Sequence, residues 1–340
     1  MRTSDTRYQI LEILRQNSSC FVSGQELADS LKISRAAVWK AVQQLKNEGF
    51  EILSTQNRGY QLQSAEDVLS SGSISSYLKH KNLQVKVFKQ IDSTNTALKQ
   101  LAEQGAPEGT ILVAEEQTAG RGRMGRSFYS PSGSGIYLSL LVRPKMSAAS
   151  STSLTAAAAV AVCEAIEAIT KKKTQIKWVN DVYVDQKKVC GILTEGAMDF
   201  ESGSLQYAIV GIGINLRDPD GGFPVDIKAV AGSLGETNSD IRSRLCAEVI
   251  DRLMDFYEHL EEKSFYEGYK KRSFLLGQKV NIISGGNYTD ASPNSAPGKE
   301  PVSALVLDVE PDFSLKVSLP DGSIRLLNSG EVSVRPDTAC

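Results

Sequence analysis

The sequence predicts a three-part α/β chain: a helix–helix–helix–hairpin head, a mixed α/β body and a small all-β tail. Three observations predict it. At 340 residues the chain is long for one core, so two or three domains are expected. Apolar residues recur with helical spacing through the head, and from Leu83 give way to strand-like runs alternating with helices. After Gly277 only short strand-like runs remain. The expected divisions are a head over 1–63, a linker with some helix over 64–82, a body over 83–276 and a tail over 277–340.

In the head, Ile10, Leu11 and Leu14 mark a first helix. Ser23 and Glu26 form a capping box before Leu27, Ala28 and Leu31. Ser34 caps a third helix with Val38, Ala41, Val42 and Leu45 as its apolar stripe, and Gly49 ends it. Two strands then flank a turn holding Asn57, Arg58 and Gly59. This is the plan of a winged helix-turn-helix. The outer face of the third helix shows Ser34, Arg35, Lys40, Gln43, Gln44 and Lys46, with no acidic residue from Ser34 to Lys46. Such a face suits the major groove, and Arg58 in the wing is placed for phosphate or minor groove. A solvated face on a protein-interaction module is the alternative.

The body offers six strand-like runs: QVKVFKQI, TILVAEEQ, GIYLSLLV, TQIKWVNDVYV, KVCGILTEG and LQYAIVGIGINL. A helix opens at Ser93, an alanine-rich helix covers 152–170, and one long helix is expected from Asp240 to Lys271. The tail carries QKVNIIS, SALVLDVE, SLKVSLP, SIRLLN and EVSVRP, a barrel-like set interrupted by a loop at 285–301. That loop is expected to be mobile.

Composition excludes several functions. Net charge is −2, so no global field points to nucleic acid, although the head carries eight Lys/Arg against six Asp/Glu. Five scattered cysteines form no C-x-x-C pair and read as reduced thiols of the cytoplasm. No signal-peptide core is visible at the start, and no apolar run looks long enough to span a membrane. With only His80 and His259, both read as solvated, neither a Ser-His-Asp triad nor a His-rich metal site is expected, while a bound metal stays open. The chemistry should run on arginine, lysine and carboxylates.

The stretch TAGRGRMGRSFYSP, 118–131, concentrates Arg121, Arg123 and Arg126 among glycines. It matches G-x-G-x-x-G, but Pro131 and further glycines follow where a dinucleotide fold needs a helix. No H-R-D or G-x-x-x-x-G-K-[ST] is present, which excludes the kinase and P-loop readings. What remains is a flexible cationic loop for a small-molecule phosphate or carboxylate, with nonspecific RNA binding of an RGG kind as the alternative, disfavoured because the motif occurs once inside a folded α/β pattern. Mutual repulsion is expected to keep it open until an anion joins its charges. Ser93, Thr94 and Asn95 sit at a helix start, where anion binding and simple capping are equally open. KWVND supplies Lys177, Asn180 and Asp181 near Lys188, and GIGIN (211–215) allows close backbone approach to a ligand before Asn215, with simple close packing of each glycine as the alternative.

In order along the whole chain, STN (93–95), EEQTAGRGRMGRSFYSP (115–131), IYLSL (136–140), KWVND (177–181), KKVCGIL (187–193), GIGIN (211–215) and SGEVSVRP (329–336) resemble the biotin protein ligases that double as biotin operon repressors. The resemblance implies a winged helix-turn-helix, a catalytic domain like that of class II aminoacyl-tRNA synthetases, and an SH3-like β-barrel. It implies activation of biotin by ATP, with Mg²⁺, to biotinyl-5′-AMP, then transfer to a lysine of a biotin carboxyl carrier protein such as that of acetyl-CoA carboxylase. It also implies operator DNA as a partner and a homodimer when the adenylate is bound.

Carried over by motif, Lys188, Arg123, Arg121 and Asp181 are the catalytic candidates, with Asp181 assisting the incoming lysine. Ser93, Thr94, Asn95, Gln117, Gly120, Arg121, Arg123, Lys188 and Gly191 are expected around biotin. Arg123, Arg126, Phe128, Lys177, Asn180, Asn215 and Arg335 are expected around ATP and the adenylate. Ser34, Arg35, Lys40, Gln43, Gln44 and Arg58 are expected on DNA. Val179 stands where the family usually has proline, and Phe128 where tryptophan is common. A ligase for lipoate or octanoate on the same fold, and a ligand-sensing repressor without chemistry, are the rival readings.

Overall fold

The computed structural model describes residues 6–17, 19–47, 49–63, 67–144, 146, 151–198, 204–236, 240–284, 302–328 and 332–336. The head forms α1 (Thr6–Gln16), α2 (Gly24–Leu31), α3 (Arg35–Asn47), β1 (Ile52–Thr55) and β2 (Gly59–Leu62). The capping box is complete: Ser23 Oγ accepts from Glu26 N at 3.1 Å and Glu26 Oε2 from Ser23 N at 2.8 Å. The apolar stripes converge in a separate small core holding Leu11, Leu14, Leu27, Val42 and Leu45. In the wing, Asn57 (φ 62°) and Gly59 (φ 103°) take the left-handed conformations that a tight hairpin turn requires.

The connection to the body is more built than a linker. It carries α4 (Ser71–Tyr77), capped by Ser70, and buries Leu69, Ile74 and Leu78 in the main core. Asp67 accepts from Arg217 Nη2 and Arg242 Nε, each at 2.8 Å. Arg15 of α1 donates to Tyr77 Oη at 2.7 Å, so head and body share a polar seam.

The body continues through β3 (Gln84–Phe88), α5 (Thr94–Glu103), β4 (Thr110–Ala114), β5 (Gly135–Val142), α6 (Ser151–Thr170), β6 (Gln175–Lys177), β7 (Asp181–Val184), β8 (Lys187–Met198) and β9 (Leu205–Asn215). The seven strands form one sheet in the order β3-β4-β5-β9-β8-β7-β6. Only β3–β4 is parallel. The single run expected over TQIKWVNDVYV is two strands, because the chain turns back at Trp178–Val179, whose peptide is cis. The long helix expected after Asp240 is α7 (Ile241–Glu258), a short 3₁₀ turn and α8 (Tyr266–Arg272), broken at Lys263 with φ 50°.

Alanine-rich α6 corrects one expectation: by length and apolarity it is fit to cross a bilayer. Its small residues instead lie against the sheet and α7, with Ala156 to Val162 fully buried, as the core helix of the body. His80 is another correction. It is not solvated; its Nδ1 lies 3.0 Å from Asp251 Oδ1 on α7.

The tail supplies β10 (Lys279–Ser284), β11 (Val302–Val309), β12 (Leu315–Ser318), β13 (Ile324–Leu327) and β14 (Val332–Pro336). They make a five-stranded antiparallel sheet in the order β13-β12-β11-β10-β14. Among the described residues β13 and β14 are the two edges of this ladder. The sheet is fastened to the body by Phe313, fully buried against Phe265, Tyr266 and Tyr269 at ring distances of 5.4–5.8 Å. The 285–301 loop lies outside the described residues.

Candidate active site

One cavity opens over the centre of the body sheet. Its lining gathers Thr94, Gln117, Arg121, Arg123, Phe128, Asn180, Lys188 and Gly191, together with Ser93, Asn95, Gly211 and Gly213. These come from segments up to 120 residues apart, assembled by the adjacency of β5, β9 and β8 beneath the start of α5.

The floor is a chain of hydrogen bonds. Ser93 caps α5, its Oγ accepting from Thr96 N, which satisfies the capping reading of STN. Thr94 donates from N and Oγ1 to Gln117 Oε1 at 2.9 and 3.1 Å, and Gln117 Nε2 donates to Ser130 Oγ at 3.0 Å. Ser139 Oγ lies 2.7 Å from Thr94 Oγ1 and 2.6 Å from Asn95 Oδ1. Asn95 Nδ2 continues to Glu195 Oε2 at 2.9 Å, and Arg121 Nη2 meets Glu195 Oε1 at 3.1 Å. Ser139 and Glu195 escaped the sequence reading. The available signals were one serine inside the apolar run IYLSLLV and one carboxylate inside KVCGILTEG, both weak in isolation.

The arginine loop is a folded hairpin. Gly122 N donates to Arg126 O at 2.7 Å and Phe128 N to Gly120 O at 2.8 Å. Met124, at φ 56°, turns the chain inside a short 3₁₀ segment. Within this hairpin the three charges are already parted. Arg121 goes to Glu195, Arg123 Nη1 donates to Asn180 Oδ1 at 3.0 Å, and Arg126 is exposed outside the cavity lining. Burial lowers the Arg123 pKa, and the nearby Asp181 carboxylate opposes that shift.

The glycines of GIGIN are used by the protein itself. A Cβ at Gly213 would stand 2.4 Å from Phe128 Cε1, and one at Gly211 2.1 Å from Asn95 Oδ1. Gly191 also faces Phe128, at 3.1 Å from Cε2. The close approach expected for a ligand is thus filled by a ring and an amide that form the cavity wall.

Lys188 Nζ lies 2.7 Å from Asp181 Oδ1, at the cavity edge. Asn180 is bolted to β8: its Nδ2 donates to Ile192 O at 2.9 Å and its O accepts from Ile192 N at 3.0 Å. Six expected residues stand outside the cavity lining: Asp181, at its edge beside Lys188, and five others. Asn215 Nδ2 donates to Gly232 O at 2.9 Å and ties a loop, Lys177 sits on β6, Arg126 faces outward, and Gly120 packs under Phe128 O. Arg335 pairs with Asn281 through the backbone of β14 and β10, and its side chain lies outside the described residues.

The Biotin/lipoate A/B protein ligase family matches residues 87–215, which span the cavity, and an HTH domain matches residues 6–61. A bifunctional ligase/repressor BirA of Bacillus spizizenii is 39% identical over 286 residues, 82% of this chain and 87% of that protein. The chain belongs to this ligase family. The Salmonella typhimurium bifunctional ligase/repressor BirA is 34% identical across 93% of each chain. Among solved structures, the Aquifex aeolicus biotin protein ligase in complex with biotin and ATP superposes with a TM-score of 0.59 at 29% identity, covering 74% of this chain and 99% of that one.

In this ligase the third helix keeps its outer face clear. Ser34, Arg35, Lys40, Gln44 and Arg58 are exposed and Gln43 is half-buried. Arg58 lies over the Phe21 ring, 4.5 Å from its centroid, which fixes the wing charge beside the head. The thiols Cys163, Cys190 and Cys246 are buried and unpaired, and burial pushes the Cys163 thiol up to about 12. No group of three or more His, Cys, Asp or Glu able to hold a metal occurs among the described residues.

Proposed function

We propose that this chain joins biotin to ATP, transfers the biotin to a lysine of a biotin carboxyl carrier protein, and represses a biotin operon with biotinyl-5′-AMP as corepressor. The observation that carries the catalytic half is the convergence of Lys188, Arg121 and Arg123 on one cavity whose remaining lining is uncharged, with Thr94, Asn95 and Gln117 beside apolar Leu138, Ile192 and Ile212. Such a site favours a substrate whose negative charge grows during reaction.

The chemistry needs no histidine. In the first step a carboxylate oxygen of biotin forms a bond to the α-phosphorus of ATP and pyrophosphate leaves. The nucleophile is already ionised at neutral pH, so cationic donors at the phosphorus centre are what the protein must supply. Lys188, Arg121 and Arg123 take that role. The Thr94–Gln117–Ser130 and Ser139–Asn95 bonds pre-orient the donors and acceptors that hold the biotin ring. Phe128, set over Gly191 and Gly213, offers a face for the adenylate, and Asn180 holds Arg123 at the correct depth. In the second step the lysine amine of the carrier attacks the acyl carbon, AMP leaves, and the amine proton is lost. Asp181 is the carboxylate placed to assist it.

The catalytic unit runs over 83–276, with the packed 67–82 segment as its base, and the tail is read as the SH3-like module of the family. Pairing of two copies through their body sheets, with the adenylate bound, would give a two-fold reader for operator DNA. The unpaired buried thiols suit the reducing cytoplasm.

The test uses purified protein, ATP, Mg²⁺ and a carrier domain, with biotin or lipoate. Biotin transfer to the carrier is expected; transfer of lipoate alone would replace this reading with that of a lipoate ligase. Operator binding that ignores biotin and ATP would remove the corepressor role.

A further inference from the structure

Trp39 is the most exposed large apolar side chain among the described residues of the head, at 59% of its full accessibility, with Leu53 next at 43%. The chain has two tryptophans. The other, Trp178, is buried and donates from Nε1 to Phe313 O at 2.8 Å. A single exposed aromatic by itself needs no explanation. Its place on α3 makes this one different.

The buried stripe Val38, Ala41, Val42 and Leu45 fixes the rotation of α3 on the head. Residues four apart on a helix share a face, so Arg35, Trp39 and Gln43 form one row beside that stripe, the first two exposed and Gln43 half-buried. Successive members are about 6 Å apart along the helix axis, roughly twice the 3.4 Å rise of a DNA strand. Lys40 lies beside the row, and no acidic residue occurs from Ser34 to Lys46. An indole between a guanidinium and an amide, on a basic face, has a natural counterpart in the major groove. There the thymine methyl is the one apolar feature of a base edge.

We propose that Trp39 is a specificity-determining residue of the head, its indole meeting a thymine methyl between the base contacts of Arg35 and Gln43. The proposal rests on the head being a DNA reader. Arginine and glutamine read hydrogen-bonding edges; Trp39 reads the methyl that distinguishes thymine from every other base.

The experiment begins with a duplex selected by the wild-type protein, with biotin, ATP and Mg²⁺, from a random library. Failure to select any duplex would overturn the DNA reading itself. Each thymine of the selected duplex is then replaced by deoxyuridine, which removes only the methyl. For the wild type, one or two positions per half-site should lose about fivefold or more in affinity, the lower end of single-base effects. W39A should bind the parent duplex more weakly by a similar factor and show no further loss at those positions. W39F should retain part of the methyl sensitivity. Identical deoxyuridine profiles for wild type and W39A, or parent-duplex affinities within twofold, would overturn the proposal. If W39A does not fold, acrylamide quenching of wild-type tryptophan fluorescence decides. Trp39 is the accessible fraction, and the duplex should shield it; quenching unaltered by DNA would overturn the assignment.

Discussion

Lys188 Nζ and Asp181 Oδ1, on neighbouring antiparallel strands, stand 2.7 Å apart at the mouth of the cavity. One candidate for each half-reaction is therefore held by the other. Lys188→Ala should lower adenylate formation by about 10²–10³, the usual cost of a lost preorganised donor. Asp181→Asn keeps the shape and removes the charge. It should slow transfer from preformed biotinyl-AMP more than it slows adenylation. Pyrophosphate release and single-turnover transfer separate the two; equal slowing would reduce Asp181 to a holder of Lys188.

Gly213 and Gly211 are constrained by space, since neither has a left-handed φ. Gly213→Ala would force the Phe128 ring off the sheet, and Gly211→Ala would displace Asn95. Both variants should fold, with the first weakening ATP more than biotin and the second biotin more than ATP. Titration calorimetry with each substrate checks the pattern.

Glu195 stands outside the cavity lining yet bonds Asn95 and Arg121, which both line it. Glu195→Gln preserves an acceptor for Asn95 and loses the ion pair, so it should cost less than Glu195→Ala. The expected signature is a raised KM for biotin, roughly five- to thirtyfold for the alanine variant if one or two charge-assisted bonds are lost. An effect confined to thermal stability would argue against a positioning role.

Asp67 is 5% exposed in its side chain and pairs with Arg242, itself 8% exposed, and with Arg217. Asp67→Ala leaves a buried guanidinium without its carboxylate. A loss of about 3 kcal/mol or more is expected in denaturant unfolding. Because the seam joins α7 to the connection from the head, hydrogen exchange should rise along 67–78.

Glu167 on α6 accepts from Arg272 Nη2 at 2.6 Å and from Thr174 Oγ1 at 2.6 Å. Burial raises its pKa, but these bonds outweigh it, and the value lies below the ordinary 4.5. A depressed native pKa stabilises the fold fully above the unfolded value, about 4.3, and the contribution fades as pH falls through the native value. Arg272→Met should therefore lower stability at neutral pH and flatten its decline on acidification, as followed by Tm against pH.

Much of the site was legible from local chemistry. Ser93 and the Ser23–Glu26 box follow from capping rules, and the sequence after the arginine–glycine loop, with Pro131 and further glycines, excluded a dinucleotide fold. The stripes of α1 to α3 determined the head, and the five strands of the tail lay in the sequence as separate short runs. Tertiary structure decided what depends on distant partners. Strand order put Ser139 under Thr94 and Asn95, brought Glu195 to Arg121, and filled the room at Gly211 and Gly213 with Asn95 and Phe128. It also parted three arginines that proximity in sequence would have left repelling, turned α6 from an apolar run into a buried core helix, and left Trp39 facing outward. The physical reason is common to these cases. Backbone preferences and periodicity act over a few residues, whereas burial, ion pairing and the occupant of a glycine's free volume are set by which strands and helices lie side by side.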